Sequence, residues 1–191
     1  TRKEDHLILD FGGIYIGYLS ATAKGKSGDV ITLYAGQELN EDGSDDFTFS
    51  PEEEKSAVPQ IFTESSAAAG SYLFEPGKAM MKAGAFNLIS SMFGISKLGR
   101  STHYYITDDK EKASMLESFG KVYEIVRCEP LDKRSMKAAG KDFPKAEVTA
   151  RNIPMDTDTL RKKMGVTSGD DAHIFGLKSD CAGNLLVVTR R

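Results

Sequence analysis

The chain has 191 residues, of which 40% are hydrophobic and 28% are charged, and its net charge is −3. This size suits one globular domain, or two small ones, with a buried core. No apolar run approaches the ~20 residues that cross a bilayer, and the polar N-terminus lacks the apolar segment of a signal peptide. Composition therefore argues against a membrane protein, and we expect a cytoplasmic protein with no membrane partner.

Cysteines and histidines are few and widely separated. The cysteines are Cys128 and Cys181, and the histidines are His6, His103 and His173. Their spacing does not match the short intervals that bring zinc ligands together. We therefore expect free thiols in a reducing compartment, structural histidines and no metal site.

Charge is unevenly distributed along the chain. Residues 1–119 contain 11 basic and 18 acidic residues, a net charge of −7, whereas residues 120–191 contain 14 basic and 10 acidic residues, a net charge of +4. The hydrophobic pattern becomes regular near the same point. We therefore predict a boundary near Gly120 and three segments: a β-rich hairpin at 1–45, a connector with an amphipathic helix at 46–119, and an α/β domain at 120–191.

The first part of the chain predicts a hairpin followed by a polar connector. Residues 6–23 and 29–35 are β-rich and flank a turn at 25–28. Residues 36–71 are rich in Asp, Glu, Ser and Gly. We interpret the carboxylates in it as solvated charges, and the triplet 52–54 after Pro51 as favouring a helix N-terminus.

Residues 72–94 predict one amphipathic helix. Pro76 lies near its start, Gly94 follows its end, and apolar residues recur at helical spacing. Such a face usually belongs to a core, although methionines also form adaptable docking surfaces. If the chain is a fragment, this face would be exposed, and we expect a contact with a second copy there.

Residues 120–191 predict the order β-α-β-α-β-β. The predicted strands cover 121–128 and 146–153, the predicted helices begin at Asp132 and Asp156, and Gly165 ends the second helix. Residues 171–179 and 185–191 would pair across the turn at 180–184. The fold class is α+β, a hairpin and helical connector followed by a two-layer domain of ferredoxin-like character with helices on one face.

Two stretches resemble a known family. These are "YLFEPGKAMMKAG" at 72–84 and "PKAEVTARN" at 144–152, within a resemblance that covers roughly residues 46–191. The chain is similar there to the C-terminal region of bacterial class I S-adenosylmethionine-dependent methyltransferases. In those proteins a Rossmann-like catalytic domain precedes a ferredoxin-like segment and a THUMP-like domain.

The resemblance implies a substrate-recognition region of a methyltransferase that acts on RNA, since THUMP modules are associated with RNA-modifying enzymes. The catalytic residues and the S-adenosylmethionine site would lie in an upstream catalytic domain. No catalytic or cofactor-binding residue is assigned within the chain, and no cofactor is expected for the chain alone. Whether the chain is itself an enzyme stays open.

The glycine-rich stretch "LDFGGIYIG" at 9–17 does not suit a cofactor loop. Its spacing is D-x-G-G-x-x-x-G, and the β-branched residues Ile14 and Ile16 stand where a tight loop needs small residues. Tyr18 and Leu19 replace the Lys-Ser/Thr of a phosphate loop. A strand and bend, such as the last strands of a catalytic sheet, is the favoured interpretation. Residues 8–45 also resemble the β-sandwich modules of α-L-rhamnosidases.

Seven residues of the last segment form a hypothetical nucleic-acid-binding surface. If they converge, their side chains would hold phosphates without reading base sequence. A solvated helix face is the alternative, and the sequence pI of about 5.7 is unusual for an RNA-binding protein. The residues are Arg151, Asn152, Arg161, Lys162, Lys163, Arg190 and Arg191.

Two other functions stay open at this point. One is a carbohydrate-associated accessory module, which the rhamnosidase-like stretch implies. The other is a structural interaction module without catalysis. A D-x-G-x-G-x-G motif upstream would favour the methyltransferase, whereas an exported parent protein would favour the carbohydrate-associated module.

Overall fold

The computed structural model describes residues 2–3, 6–7, 24–26, 49–64 and 67–190, the first two pairs by their backbone alone. Residues 1–50 and 51–191 form two separate units. In the first unit, strands β1 (Arg2–Lys3) and β2 (His6–Leu7) pair antiparallel. Most of the predicted hairpin and all of the glycine-rich stretch at 9–17 lie outside the described residues.

The second unit is a mixed α+β structure, as predicted. In its described part, eight strands form one sheet in the order β3-β5-β6-β4-β7-β10-β9-β8. Its elements are α1 (Pro51–Ser56), β3 (Gln60–Ile61), β4 (Tyr72–Pro76), α2 (Lys78–Ala83), α3 (Phe86–Phe93), β5 (Ser96–Lys97), β6 (Tyr105–Thr107), α4 (Lys110–Leu116), β7 (Gly120–Pro130), α5 (Lys133–Asp142), β8 (Lys145–Arg151), α6 (Thr157–Met164), β9 (Thr167–Ser179) and β10 (Gly183–Arg190).

The order β-α-β-α-β-β is confirmed for β7 through β10. Strand β8 pairs parallel with β9. Strands β9 and β10 form an antiparallel hairpin, in which Ser179 and Gly183 are the pair next to the turn. Strand β10 also pairs antiparallel with β7. A parallel pair needs a crossover connection, and α6 supplies it between β8 and β9.

Alternating side chains of β8, β9 and β10 point to opposite faces of the sheet. One face packs against α5 and α6 through Val148, Ile174, Val188 and Leu160. The other face forms a second core with side chains from β4, β6, β7, β9 and β10 and from the loops beside them. Its members include Leu73, Ile106, Tyr123, Phe175 and Leu185.

The predicted helix ends follow from capping. The carboxylate of Asp132 accepts hydrogen bonds from the Arg134 and Ser135 backbone N–H groups at 2.7 and 2.8 Å, so it satisfies donors that the helix itself leaves unpaired. Asp156 accepts from the Thr159 N–H at 2.7 Å in the same way. Gly165 ends α6 with φ 73°, a left-handed conformation that glycine adopts readily.

The single helix predicted at 72–94 is wrong. Residues Tyr72–Pro76 form β4, which pairs with β6 and β7, and two short helices follow it. Gly84 separates them with φ 80°, and its N–H donates to the Met80 carbonyl as a helix cap. The apolar residues keep a helical spacing across this break, so the sequence indicated one helix. It could not show that β4 pairs with strands from later parts of the chain.

Glu54 corrects the prediction that the acidic triplet is merely solvated. Helix α1 begins at Pro51, as the triplet indicated. The Glu54 carboxylate, however, accepts hydrogen bonds from the backbone N–H groups of Asn87 and Leu88, each at 2.8 Å. Because Ala85, the residue before α3, has no side-chain cap, Glu54 supplies that cap from another helix.

The sheet continues across the boundary predicted near Gly120. Strand β7 begins at Gly120, and Gly120 pairs with Pro76 of β4. A Cβ at Gly120 would overlap the Glu75 carbonyl oxygen, so this close approach needs glycine. The division into three segments stays a prediction. Strands from the second and third predicted segments, 46–119 and 120–191, belong to one sheet.

None of the helices in the described ranges has the length and apolarity needed to cross a lipid bilayer.

Candidate nucleic-acid interface

The predicted basic residues that the structure describes do not converge on one site. Arg151 ends β8 and pairs with Leu177, whereas Arg190 follows Thr189, which pairs with His173. His173 precedes Leu177 by four positions on β9. At ~3.3 Å per residue, the positions of Thr189 and Arg151 along the strand direction therefore differ by about 13 Å. Arg151 and Arg190 therefore lie toward opposite ends of the sheet.

The cations of α6 lie at the Arg190 end. Arg161, Lys162 and Lys163 belong to the last turn of α6, which is followed by the start of β9. Arg161 forms an ion pair with Asp158 at 3.1 Å, and Lys162 and Lys163 are exposed. Arg191, the last predicted residue, lies outside the described residues. The exposed Lys162 and Lys163 suit either of the two interpretations that the sequence left open, a solvated helix face or a phosphate-binding surface.

Asn152 lies just beyond β8 in a constrained position. Its φ of 58° is in the left-handed region, which asparagine tolerates better than most residues. Its side-chain amide donates to the Ser101 carbonyl at 2.7 Å and to the Thr102 hydroxyl at 3.1 Å. Asn152 thereby fastens the loop at 99–103 to the end of β8.

A polar cleft of about 530 Å³ opens beside this junction, and we call it the Arg100 cleft. Its volume falls in the range of small-molecule sites. The sequence prediction missed Arg100 and Lys178, because their loop and strand meet only through the sheet. The cleft is lined by Arg100, Ser101, Thr102, Asn152, Lys178 and Asp180.

Asp180 is the one carboxylate among the described residues that line the Arg100 cleft. It accepts hydrogen bonds from the backbone N–H and the Nε of Arg100 at 2.9 and 3.3 Å. The backbone bond, the Arg100 side chain and the charge of Lys178 together hold the pKa of Asp180 below its usual value. The described lining of the cleft therefore carries two cations and one carboxylate, a local charge of +1. The Arg100 side chain is 93% exposed and available to a ligand.

Arg151 interacts with Tyr104 on the side of the sheet opposite α6. The Tyr104 and Tyr123 hydroxyls donate to the two Glu75 carboxylate oxygens at 2.7 and 3.1 Å. Burial and then Glu75 raise the pKa of Tyr104, while the Arg151 guanidinium acts in the opposite direction. Tyr104 therefore stays a neutral hydrogen-bond donor at pH 7, and its hydroxyl interacts with both the Glu75 carboxylate and the Arg151 guanidinium.

The two described histidine rings pack against aromatic rings. His173 stacks on Phe175 with centroids 3.9 Å apart, and its Nε2 lies 2.8 Å from the Thr149 hydroxyl. His103 stacks on Phe86 at 3.7 Å, and burial lowers the pKa of His103. Within the ranges that the structure describes, His, Cys, Asp and Glu side chains do not form a group of three suited to a metal ion.

Two parts of the chain match known protein families. Residues 72–113 match a family described as a ferredoxin-like domain, and residues 120–191 match a family described as THUMP domain-like. The ferredoxin-like and THUMP-like resemblance is thereby confirmed. No curated protein sequence matches the chain.

A solved structure is similar to the chain over most of its length. It is the crystal structure of a predicted methyltransferase from Porphyromonas gingivalis W83, with 25% sequence identity and a TM-score of 0.64. The similarity covers 76% of this chain and 34% of that protein. The chain therefore spans about one third of the length of the methyltransferase that it matches.

Proposed function

We propose that this chain is the substrate-recognition region of a class I S-adenosylmethionine-dependent methyltransferase that acts on RNA. The observation that carries the proposal is the Arg100 cleft, where Arg100 and Lys178 lie beside a sheet with THUMP-like similarity. Cations bind the phosphate backbone by displacing counterions, which gives affinity without base recognition. The methyltransferase-like neighbour supports the reaction class.

The RNA-binding surface would include the seven predicted residues in two groups. Asn152 lines the Arg100 cleft and Arg151 directly precedes it in the chain, whereas the α6 cations and Arg190 lie toward the other end of the sheet. Arg191 completes the proposed set but lies outside the described residues. Two separated groups could contact phosphates on successive parts of one RNA. The Arg100 cleft adds the cations Arg100 and Lys178 at the end of the sheet where the sequence prediction had only Arg151 and Asn152.

The described residues do not fit an S-adenosylmethionine site. Such a site needs a glycine turn between a strand and a helix, with space above the glycine for the cofactor. Among the described strands that lead into helices, β4 has a glycine, Gly77, directly after it. A Cβ there would lie 2.9 Å from the Phe119 carbonyl oxygen, so the chain's own backbone occupies that space. We assign the cofactor and the methyl transfer to an upstream catalytic domain.

Two further parts of the proposal concern location and assembly. The thiols Cys128 and Cys181 are unpaired, which supports a reducing, cytoplasmic compartment. Met81, Met92 and Met115 are exposed on the helices before β7, and they would meet the catalytic domain or a second copy of the chain.

Equilibrium binding to a labelled structured RNA tests the proposal. Fluorescence anisotropy of the full chain should show binding that weakens steadily between about 50 and about 200 mM salt. The variants Arg151→Gln and Lys162→Gln/Lys163→Gln should each reduce the slope of log affinity against log salt, by about 1 per phosphate contact. Calorimetry with S-adenosylmethionine should detect no binding.

Three results would contradict this function. RNA binding that is absent at low salt would favour a structural or carbohydrate-associated module. Affinity that does not change with salt would exclude a phosphate-binding surface. S-adenosylmethionine binding would mean that the chain contains its own cofactor site.

A further inference from the structure

The chemistry of the Arg100 cleft is more specific than a positively charged patch. Its two cations are accompanied by Asp180, which lines the same cavity. A carboxylate repels a bare phosphate but accepts hydrogen bonds from hydroxyl or amino groups. Because the Arg100 Nε lies 3.3 Å from the Asp180 carboxylate, a ligand that suits the whole cleft carries a phosphate and, close beside it, a hydrogen-bond donor.

We propose that the Arg100 cleft binds one ribonucleotide unit of an RNA strand, with the phosphate on Arg100 and Lys178 and the ribose 2′-hydroxyl donating to Asp180. The 2′-hydroxyl is the group by which a protein distinguishes RNA from DNA. This inference rests on the proposed RNA-binding function and assigns the sugar selectivity to a single side chain.

The position of Asp180 is built into the fold. Its backbone N–H donates to the Leu98 carbonyl at 3.0 Å, and its carboxylate Oδ2 accepts from the Arg100 backbone. A Cβ on Gly99 would lie 2.9 Å from the Asp180 Oδ1, so the carboxylate occupies space that only glycine leaves. The Asp180 side chain is 32% exposed, which leaves it accessible to a ligand from the cleft.

The polar groups around the cleft complete a nucleotide site. Ser101 and Thr102 line the cleft, and Asn152 holds both through its hydrogen bonds. Thr102 is buried, but the exposed Ser101 hydroxyl can donate to a phosphate oxygen or accept from a sugar or base donor. The volume of the cleft, about 530 Å³, is within the range of small-molecule sites and is sufficient for one nucleotide. Because an unpaired nucleotide can turn out of its strand to enter such a cleft, we expect the cleft to prefer single-stranded RNA.

The test compares RNA and DNA oligonucleotides of one sequence, both single-stranded, by anisotropy against the full chain. The wild type should prefer RNA. The variant Arg100→Gln/Lys178→Gln should lose about tenfold in RNA affinity for each cation removed. The control Lys82→Gln/Arg134→Gln removes the same charge from exposed positions on α2 and α5 and should bind as the wild type does.

The variant Asp180→Asn separates sugar recognition from general electrostatics. Loss of the negative charge should strengthen DNA binding while the preference for RNA over DNA falls by about tenfold. A damaged fold would instead weaken the binding of both RNA and DNA. Gly99→Ala provides a second variant, because it keeps every charge and displaces the Asp180 carboxylate; it should also reduce the RNA preference.

The possible failures are distinguishable. If the wild type binds neither oligonucleotide, the proposed function and this inference both fail. If the wild type binds RNA and Arg100→Gln/Lys178→Gln binds it equally well, the cleft assignment alone is wrong. An RNA preference that survives both Asp180→Asn and Gly99→Ala would overturn the role of Asp180.

Discussion

The Asn152 side-chain amide donates one hydrogen bond to the Ser101 carbonyl at 2.7 Å and another to the Thr102 hydroxyl at 3.1 Å. These bonds join the end of β8 to a loop about 50 residues earlier in the chain. The residue that makes them has a left-handed backbone. The shape of the Arg100 cleft therefore depends on a residue that both adopts a left-handed backbone conformation and supplies a side-chain amide donor.

Two substitutions of Asn152 should separate the contribution of its side-chain hydrogen bonds to stability from that of its backbone conformation. Asn152→Ala loses the hydrogen bonds and keeps the unfavourable φ, so we expect about 1–2 kcal/mol of lost stability. Asn152→Gly loses the same bonds but tolerates the conformation, so it should be less destabilising, by about 1 kcal/mol. Urea denaturation measures both. Equal stability of the two variants would show that the backbone conformation is not strained.

Gly140→Ala should destabilise the packing of α5 on α6. Glycine inside a helix normally costs about 1 kcal/mol relative to alanine, so the substitution would usually stabilise the protein. Here a Cβ would overlap the Met164 carbonyl oxygen. We expect a loss of about 3 kcal/mol in the free energy of unfolding, because both backbones must move apart. The control Ala138→Gly on the same helix should cost only about 1 kcal/mol; an unchanged Gly140→Ala variant would refute the close approach.

Glu54→Gln should loosen α1 from α3. The substitution removes a charged acceptor from the α3 N-terminus, so we expect a loss of about 1–2 kcal/mol. Hydrogen exchange at the Asn87 and Leu88 amides should accelerate, since these groups donate to Glu54. Glu52→Gln, an exposed neighbour in the same helix, serves as the control. Equal exchange rates in both variants would contradict the cap.

Acid should weaken the helix caps at Asp132 and Asp156. Backbone hydrogen bonds lower the pKa of both carboxyls below 3.8 in the folded chain. The unfolded chain then binds more protons, so the caps stabilise the fold above about pH 4 and lose their contribution as the pH falls below it. Thermal denaturation at pH 2–5 should show a smaller pH dependence for Asp132→Asn/Asp156→Asn, in which amides keep the cap without titrating. The same dependence in the variant would contradict this account.

The two cysteines should react at different rates. Cys181 is exposed beside Asp180, whereas Cys128 is buried and its burial raises the pKa of the thiol. Because the thiolate is the reactive form, a disulfide reagent should modify Cys181 quickly and Cys128 only after unfolding. Cys181→Ser should abolish the fast phase. Rapid labelling of that variant in its folded state would show that Cys128 is accessible.

The sequence predicted best where structure depends on local chemistry. The caps at Asp132 and Asp156, the glycine at 165 and the alternating strands identified β7 through β10 and their helices. It failed at 72–94, because helical spacing there concealed a strand whose partners β6 and β7 come later in the chain. It also could not show that Glu54 caps a distant helix.

By itself, the sequence determined the α+β class, the β-α-β-α-β-β order and the identity of the basic residues in the last segment, since these depend on periodicity, capping and composition. Only the tertiary structure decided which charges meet. Strand register separated Arg151 from Arg190, and the sheet brought Arg100 to Lys178 and Asp180. The physical reason is that a binding site depends on distances across strands and loops, and pairing between remote segments sets those distances.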